Sequence, residues 1–304
     1  MNKLITVLGI FVADISFAGA KIPIEGETII GSNYNIGPGG KGCNQAIAIS
    51  KLGGKVKFIS KIGIDEYGKL AVQTLKRNKI DIKNLVQTNR YPTGVAGIMV
   101  NQKNGINAIN VIPGAPSKLN VEEIKKHIKD IKKSKIFLTQ LEIPKKITLL
   151  CLKTAYKNNV QTILNPAPAS KINKEFFKYI NYFTPNEVEA EFYTGIKIKN
   201  HKDALKACKK LHTLGVKKSI ITLGEKGLFY FDGQKQIYIE AEKSIKAIDT
   251  TGAGDAFNGA LAFSLANGEK IKDALVIANR VAGLSTQKLG AGNSMPTLKE
   301  LKNF

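Results

Sequence analysis

Ile136-Phe137-Leu138-Thr139 is a short, mostly apolar run. Residues 145–158 follow it with apolar positions at helical spacing, and Gln161-Thr162-Ile163-Leu164 is a second such run, closed by Pro166. A short apolar run between turn signals reads as a buried strand, and a longer stretch of period 3.6 reads as a helix. A strand, a helix and a strand in this order form a right-handed crossover between parallel strands. The alternation continues outward. Residues 121–133 read as a helix with a lysine face, 178–183 lead into a strand ended by Pro185, 202–214 read as a helix, and Lys218–Thr222 reads as a strand stopped by Gly224. The fold class expected is therefore α/β, a mostly parallel sheet sandwiched by helices. Ligands of such sheets bind beyond the carboxyl ends of the strands. Residues 9–14, 140–142, 184–189 and 222–227 should then converge on one crevice.

Two stretches break the alternation. Residues 11–36 and 93–111 read as short strands with Gly and Asn turns and no helix between them. They are expected to form a small β-sheet lid, with 1–10, 37–92 and 112–304 making the α/β domain. A lid would exclude water from the crevice; the same open sheet could also serve as an oligomer interface, because pairing removes an exposed edge.

Composition narrows the class. The chain has 304 residues, 43% hydrophobic and 23% charged, which excludes wholesale disorder, a collagen-like fibre and a multi-span membrane protein. Forty-six basic and 24 acidic residues give a formal net charge of +22. Only Arg77, Arg90 and Arg280 are arginines, and the lysines are scattered without interleaved aromatics. That pattern is a solvated surface rather than a nucleic-acid groove. Cys43, Cys151 and Cys208 show no CxxC pairing, which argues against a disulfide framework or a zinc site and fits a reducing cytoplasm. His127, His201 and His212 lie on lysine-rich helical stretches without ligand spacing and are expected at the surface. Tyr34, Phe176 and Phe177 are expected to pack in core or lid, and Cys43 to be a small buried residue.

The N-terminus has two readings. Met1-Asn2-Lys3, the apolar run 4–13 and Ala18-Gly19-Ala20 imitate a secretory signal. Asp14 at the end of the run opposes it, and β-branched Ile5, Thr6 and Val7 favour a first buried strand at 4–8. No run reaches the roughly 18 apolar residues of a membrane span.

Two glycine segments carry the chemistry. Gly37-Pro38-Gly39-Gly40-Lys41-Gly42 formally matches GxGxxG, yet it comes late, contains proline, and is not a Walker A loop. It offers a backbone open to close approach and a helix start near 41–44, where Lys41 and Asn44 can point donors at a polyol or anion. The stronger segment is Asp249-Thr250-Thr251-Gly252-Ala253-Gly254-Asp255-Ala256-Phe257-Asn258-Gly259-Ala260. Gly252-Ala253-Gly254 leads into an apolar helix running to about Asn267, so its backbone N–H groups form an anion hole. Asp255 in that first turn could merely cap the helix. Phosphoryl transfer, however, needs this pair of parts: N–H donors for the transferred group and a carboxylate for the attacking hydroxyl.

Gly39-Gly40-Lys41-Gly42 with Asn44-Gln45-Ala46, and residues 249–255, resemble the two signatures of the ribokinase-like carbohydrate kinases. Gln140-Leu141-Glu142, Asn165-Pro166-Ala167-Pro168-Ala169 and Thr184-Pro185-Asn186-Glu187 lie between them in the matching order, so the likeness spans the chain. It implies transfer of the γ-phosphate of ATP to the 5-hydroxyl of ribose. It also implies Mg2+, a monovalent cation such as K+, and a homodimer formed through the lid. Asp255 would be the base, and Gly252, Ala253 and Gly254 the anion hole. Asp14, Gly40, Lys41, Asn44 and Glu142 would hold the sugar. Asn186 and Glu189 would organise phosphate and the magnesium shell, Thr222, Gly224 and Gly227 would line the nucleotide, and Asn279 would lie near the adenine. Asp249, Thr251, Ser285, Lys288, Gly290 and Ser294 would surround the monovalent cation, Lys288 only through its carbonyl.

One position departs from the pattern of the family the chain resembles. An asparagine is expected two residues before the sugar-binding aspartate, and this chain has Val12. The acceptor could therefore lack a hydroxyl there, present an apolar group, or bind through a rearranged site. Another sugar or a nucleoside is the alternative acceptor. A basic nucleic-acid-binding protein on a kinase-like fold would need a basic stripe or aromatic platform that the sequence does not carry. A nicotinamide oxidoreductase would rest on the misplaced GxGxxG, with Asp65 only loosely meeting the acidic requirement.

Overall fold

A computed structural model describes residues 3–304. Met1 and Asn2, part of the signal-like start, lie outside the described residues. The elements run β1 (Ile5–Leu8), β2 (Val12–Gly19), β3 (Asn33–Gly39), α1 (Lys41–Lys51), β4 (Val56–Gly63), α2 (Glu66–Arg77), β5 (Leu85–Thr88), β6 (Thr93–Asn101) and β7 (Asn107–Gly114). They continue with α3 (Val121–Lys125), α4 (Ile128–Lys133), β8 (Ile136–Thr139), α5 (Lys145–Lys157), β9 (Gln161–Leu164), β10 (Tyr182–Phe183), α6 (Glu187–Thr194) and α7 (His201–Thr213). The last are β11 (Lys218–Thr222), β12 (Leu228–Phe231), β13 (Gln236–Ile239), α8 (Ala253–Asn267), α9 (Ile271–Ser285) and α10 (Leu298–Lys302).

Nine strands form one sheet in the order β13-β12-β11-β10-β9-β8-β1-β4-β5. It is parallel from β5 to β11, with β12 and β13 added antiparallel at one edge. Alternation along each strand sorts side chains between two helical layers. Ile136 and Leu138 join a cluster with Ile47, Phe257 and Leu261, while Phe137 joins another with Leu152 and Ile180. The first layer is built on α1 and α8, the helices that open at the two glycine segments. These helices approach closely because α8 is rich in small residues. A Cβ added at Gly259 would lie 2.6 Å from the Ala48 Cβ. The seam fixes the first turn of one helix against the first turn of the other.

The second sheet has four strands, β3-β2-β6-β7. Its two outer pairings are antiparallel, whereas β2 and β6 run parallel. Gly37-Pro38-Gly39 does not form a free turn before α1 but completes β3, pairing with Asp14, Ala13 and Val12. That pairing brings the site end of β2 directly beside the start of α1.

Residues 121–133 make two short helices instead of one, with the break at Lys126 and His127. His127 is not at the surface as expected. It is 9% exposed, with its Nδ1 3.1 Å from the Asn84 Nδ2, and burial holds its pKa below the usual value. The reason is spacing: His127 stands three residues after Ile124 and four before Ile131, both fully buried, and it turns inward with them. His201 and His212 are exposed. Phe176 and Phe177 pack in the core, and the three cysteines are buried and unpaired.

Candidate active site

The crevice is assembled from strand ends and two helix starts. Asp14 comes from β2, Glu142 from the segment after β8, and Asn165 from the segment after β9. Lys41, Asn44 and Gln45 come from the first turn of α1, and Asp255 from the first turn of α8. Asp255 receives one donor on each oxygen. The Asn44 Nδ2 lies 2.9 Å from its Oδ2, and the Gln45 Nε2 lies 3.0 Å from its Oδ1. The Lys41 N–H donates to the Glu142 Oε2 at 3.0 Å. Gly40, with φ 89°, is the residue before α1 and accepts the Asn44 N–H on its carbonyl at 2.9 Å.

Behind this layer runs a buried polar chain to which sequence reasoning assigned no role. The Gln140 amide donates to the Gln45 Oε1, and the Gln45 Nε2 also reaches the Asn165 Oδ1 at 3.3 Å. The Asn165 Nδ2 donates to the Thr184 carbonyl at 3.1 Å. The Thr184 hydroxyl donates to the Asn258 Oδ1 at 2.6 Å, and the Asn258 Nδ2 to the Gly254 carbonyl at 2.8 Å. The chain thus returns to the turn at Gly252–Gly254. Buried amides joined in this way hold one geometry, because each broken link strands a partner. The signal in the sequence was that Gln45, Gln140, Asn165 and Thr184 each stand in one of the motifs shared with the kinase family, with no pattern linking one to the next.

The electrostatics follow from burial of several carboxylates around one ammonium. Burial pushes Asp14 up to about 6, with Asp255 adding to the rise and Lys41 opposing it. Burial pushes Glu142 up to about 8 against the pull of Lys41. Asp255 is also raised by burial, opposed by Lys41 and by the amides of Asn44 and Gln45. Lys41 is held above its ordinary value, chiefly by Asp255, then by Glu142, Glu189 and Asp14 once burial is offset. Once ionised, these carboxyl groups are acceptors only, so together they suit a ligand rich in hydroxyl donors. The Asn44 Oδ1 is buried without a hydrogen-bond partner and is a further acceptor.

At Gly252 the backbone takes φ 81°, then α8 begins at Ala253. The Ala253 N–H turns back to the Thr250 carbonyl at 3.2 Å. Gly254 and Asp255 are the next first-turn residues, and helix geometry gives their N–H groups no intrahelical acceptor. Asn186 and Glu189 form a reciprocal cap on α6: the Glu189 N–H donates to the Asn186 Oδ1 at 2.8 Å, and the Asn186 N–H to the Glu189 Oε2 at 2.9 Å. The Asn-x-x-Glu spacing therefore has a helix-capping reason of its own. Glu189 is still buried and raised in pKa by that burial.

Thr222 ends β11 beside Asn186, its N–H bonded to the Pro185 carbonyl at 3.0 Å. Gly224 and Gly227 frame the single turn that follows, at φ 55° and 94°. Asn279, on α9, spends its amide on the Glu240 carbonyl at 2.8 Å. Asp249 accepts the Thr251 N–H at 2.9 Å on one oxygen and the Gly290 N–H at 2.8 Å on the other. Ser285 and Ser294 are buried, their hydroxyls donating to the carbonyls of Ala282 and Ala291 at 2.7 Å each. The Lys288 ammonium is paired with Glu300.

Comparison with known proteins agrees with this architecture. The pfkB family carbohydrate kinase profile matches residues 2–298. A ribokinase of Haemophilus influenzae is 38% identical over 304 residues, covering 100% of this chain and 99% of its own. A deoxyribokinase of Salmonella typhimurium is 31% identical, covering 99% of this chain and 98% of its own. The structure of Arabidopsis thaliana ribokinase complexed with ribose and ATP superposes with a TM-score of 0.92 at 32% identity, covering 100% of this chain and 98% of that one.

Proposed function

The chain belongs to the pfkB family of carbohydrate kinases, and from that premise we propose that it transfers the γ-phosphoryl group of ATP to the primary 5-hydroxyl of ribose or a close relative. The observation that carries the reading is Asp255. It is a buried carboxylate in the first turn of α8, fixed by Asn44 and Gln45 and adjacent to the Gly252–Gly254 turn. Burial raises its pKa and so makes it a better proton acceptor than an ordinary aspartate, with Lys41 opposing the rise. It draws the proton from the sugar hydroxyl, and the free first-turn N–H groups take the charge of the transferred phosphoryl. Asp14, Glu142, the Asn44 Oδ1, Lys41 and the backbone at Gly40 hold the sugar. Thr222, Gly224, Gly227 and Asn279 line the nucleotide.

Two ions fit the donors present. Glu189 with Asn186 offers one buried carboxylate, the donor chemistry of an Mg2+ held mainly by nucleotide phosphates and water. Asp249, the carbonyls of Thr251, Ser285, Lys288 and Gly290, and the Ser294 hydroxyl make an all-oxygen set with one formal negative charge. That set matches a monovalent cation such as K+. When bound, these ions supply positive charge to the phosphates and to the back of the anion hole.

The four-stranded sheet acts as the lid, built from 11–36 and 93–111 over the α/β remainder. Strand pairing puts Phe17, Tyr34 and Met99 on one face of it, and Ile36 and Ile112 lie on the same face; all are exposed. An apolar face of this kind supports a homodimer through the lid. No helix among the described residues is long and apolar enough to cross a membrane. Buried free cysteines and a small-molecule reaction support a cytoplasmic enzyme without a nucleic-acid role.

A second acceptor, a deoxy sugar, is favoured by Val12. It shares a face of β2 with Asp14, is 2% exposed, and packs with Ile10, Ala96 and Ile98. The test is ADP release with MgATP and KCl across ribose, deoxyribose, fructose and common nucleosides, for the wild type and Val12→Asn. Turnover with a pentose is expected. One added hydrogen bond should raise ribose kcat/KM in Val12→Asn by about 2- to 12-fold. Silence with every acceptor overturns the kinase reading, and an unchanged ribose kcat/KM removes Val12 as the discriminating position.

A further inference from the structure

Helix α1 begins at Lys41 in the sugar site and ends at Lys51, whose role is not explained by the site. The Lys51 Nζ donates to two backbone carbonyls of a remote segment, Asn293 at 3.2 Å and Met295 at 2.9 Å. That segment, 286–296, joins α9 to α10 without belonging to either sheet. It touches the site at three points. The Gly290 N–H donates to Asp249 at 2.8 Å. A Cβ on Gly252 would come within 2.9 Å of the Ala291 Cα, and one on Gly292 within 3.2 Å of the Asn44 Oδ1. The Thr286 carbonyl, in turn, accepts the N–H groups of Ile248 and Asp249 at 2.7 and 3.0 Å. The segment therefore forms the back wall of the anion-hole turn, and it contains three of the residues read above as cation ligands, Lys288, Gly290 and Ser294.

A loop outside any ladder must satisfy its carbonyls with other partners. Here one ammonium satisfies two of them through charge-assisted bonds, which are stronger than neutral ones. The charges facing Lys51 are Lys288 and Glu300, and these two are paired with each other. Lys51 is thus left to the carbonyls.

We propose that Lys51 is a positioning residue. It clamps segment 286–296 against Gly252 and Asp249, and so keeps the carbonyl ring of the monovalent-cation site and the anion-hole turn in register. The part concerning the cation rests on the function proposed above, whereas the clamp itself does not.

The test uses the full chain as wild type, Lys51→Met and Lys51→Arg. Thermal unfolding is followed without substrates as KCl replaces tetramethylammonium chloride at constant ionic strength, and the K+ midpoint of activation is measured in parallel. Hydrogen exchange is read over 286–296. Lys51→Met is expected to raise the K+ midpoint for both stabilisation and activation by about tenfold and to speed exchange in 286–296. Lys51→Arg, which keeps the charge and the donors, should stay near wild type. A wild-type K+ midpoint and unchanged exchange in Lys51→Met overturn the proposal. If wild type itself shows no K+ response, the cation reading fails, and exchange over 286–296 decides the clamp: faster in Lys51→Met supports it, unchanged overturns it. Should Lys51→Met fail to fold, Lys51→Gln, which keeps a donor without the charge, takes its place in the same measurements.

Discussion

Gln45 donates to the Oδ1 of Asp255 at 3.0 Å, across 210 positions of chain. The bond joins the two glycine segments at the level of single atoms, because Gln45 closes the first turn of α1 and Asp255 lies within the first turn of α8. It also tells the two oxygens of Asp255 apart: Gln45 occupies one and Asn44 the other.

Asp255→Asn keeps the size of the side chain and its place in the helix while removing the proton acceptor. Transfer should fall by about 10²- to 10⁴-fold in kcat, with ATP binding retained in a calorimetric titration. Near-normal turnover would remove Asp255 as the base.

Gln45→Leu deletes one donor to Asp255 and strands the amides of Gln140 and Asn165. Loss of a donor to the carboxylate raises its pKa further, since that bond favours the charged form. The acid limb of the kcat profile should move to higher pH, with kcat lowered by about tenfold at neutral pH. If kcat falls without movement of the acid limb, Gln45 acts only through packing.

Glu142 predicts how stability depends on pH. Its folded pKa, about 8, lies above the 4.5 of an ordinary glutamate. The folded chain therefore binds this proton more tightly than the unfolded chain does. The stabilisation is fully present below about 4.5 and is lost as pH rises through about 8. The melting temperature of the substrate-free enzyme should fall across that window. Glu142→Gln should flatten the profile, raise the melting temperature by a few degrees at pH 8, and weaken sugar binding by about tenfold or more. An identical pH slope in the variant would show that Glu142 does not titrate in this way.

Much of the architecture was legible before any coordinates. Strands at Ile136–Thr139, Gln161–Leu164 and Lys218–Thr222 stand where the apolar runs placed them, because strands buried on both faces read as continuous apolar segments. The helix starts at Lys41 and Ala253 were legible through their glycines. The contacts of Gln45, Gln140, Asn165 and Thr184 were not, since a hydrogen-bonded chain through four separate segments leaves no periodicity. The antiparallel edge, β12 and β13, was missed although Asp232-Gly233 after an apolar run is a hairpin signal. His127 departs from the expected surface position because its lysine neighbours mask its spacing from the buried Ile124 and Ile131. β3 runs through Gly39, past the expected end at residue 36: glycine and proline are rare inside strands, yet here they border the site, where the backbone must come close.

The reciprocal cap between Asn186 and Glu189 separates fold upkeep from chemistry. A helix needs that cap whether or not any phosphate is handled, so the pair would survive in a descendant that had abandoned catalysis and kept the scaffold for some other employment. The donation from Gln45 to Asp255 has no such excuse, because a buried carboxylate held by two amides is a burden unless it is used. Among sequences sharing this architecture, retired enzymes would be recognised by the erosion of Gln45 and Asp255, long before the capping pair began to drift.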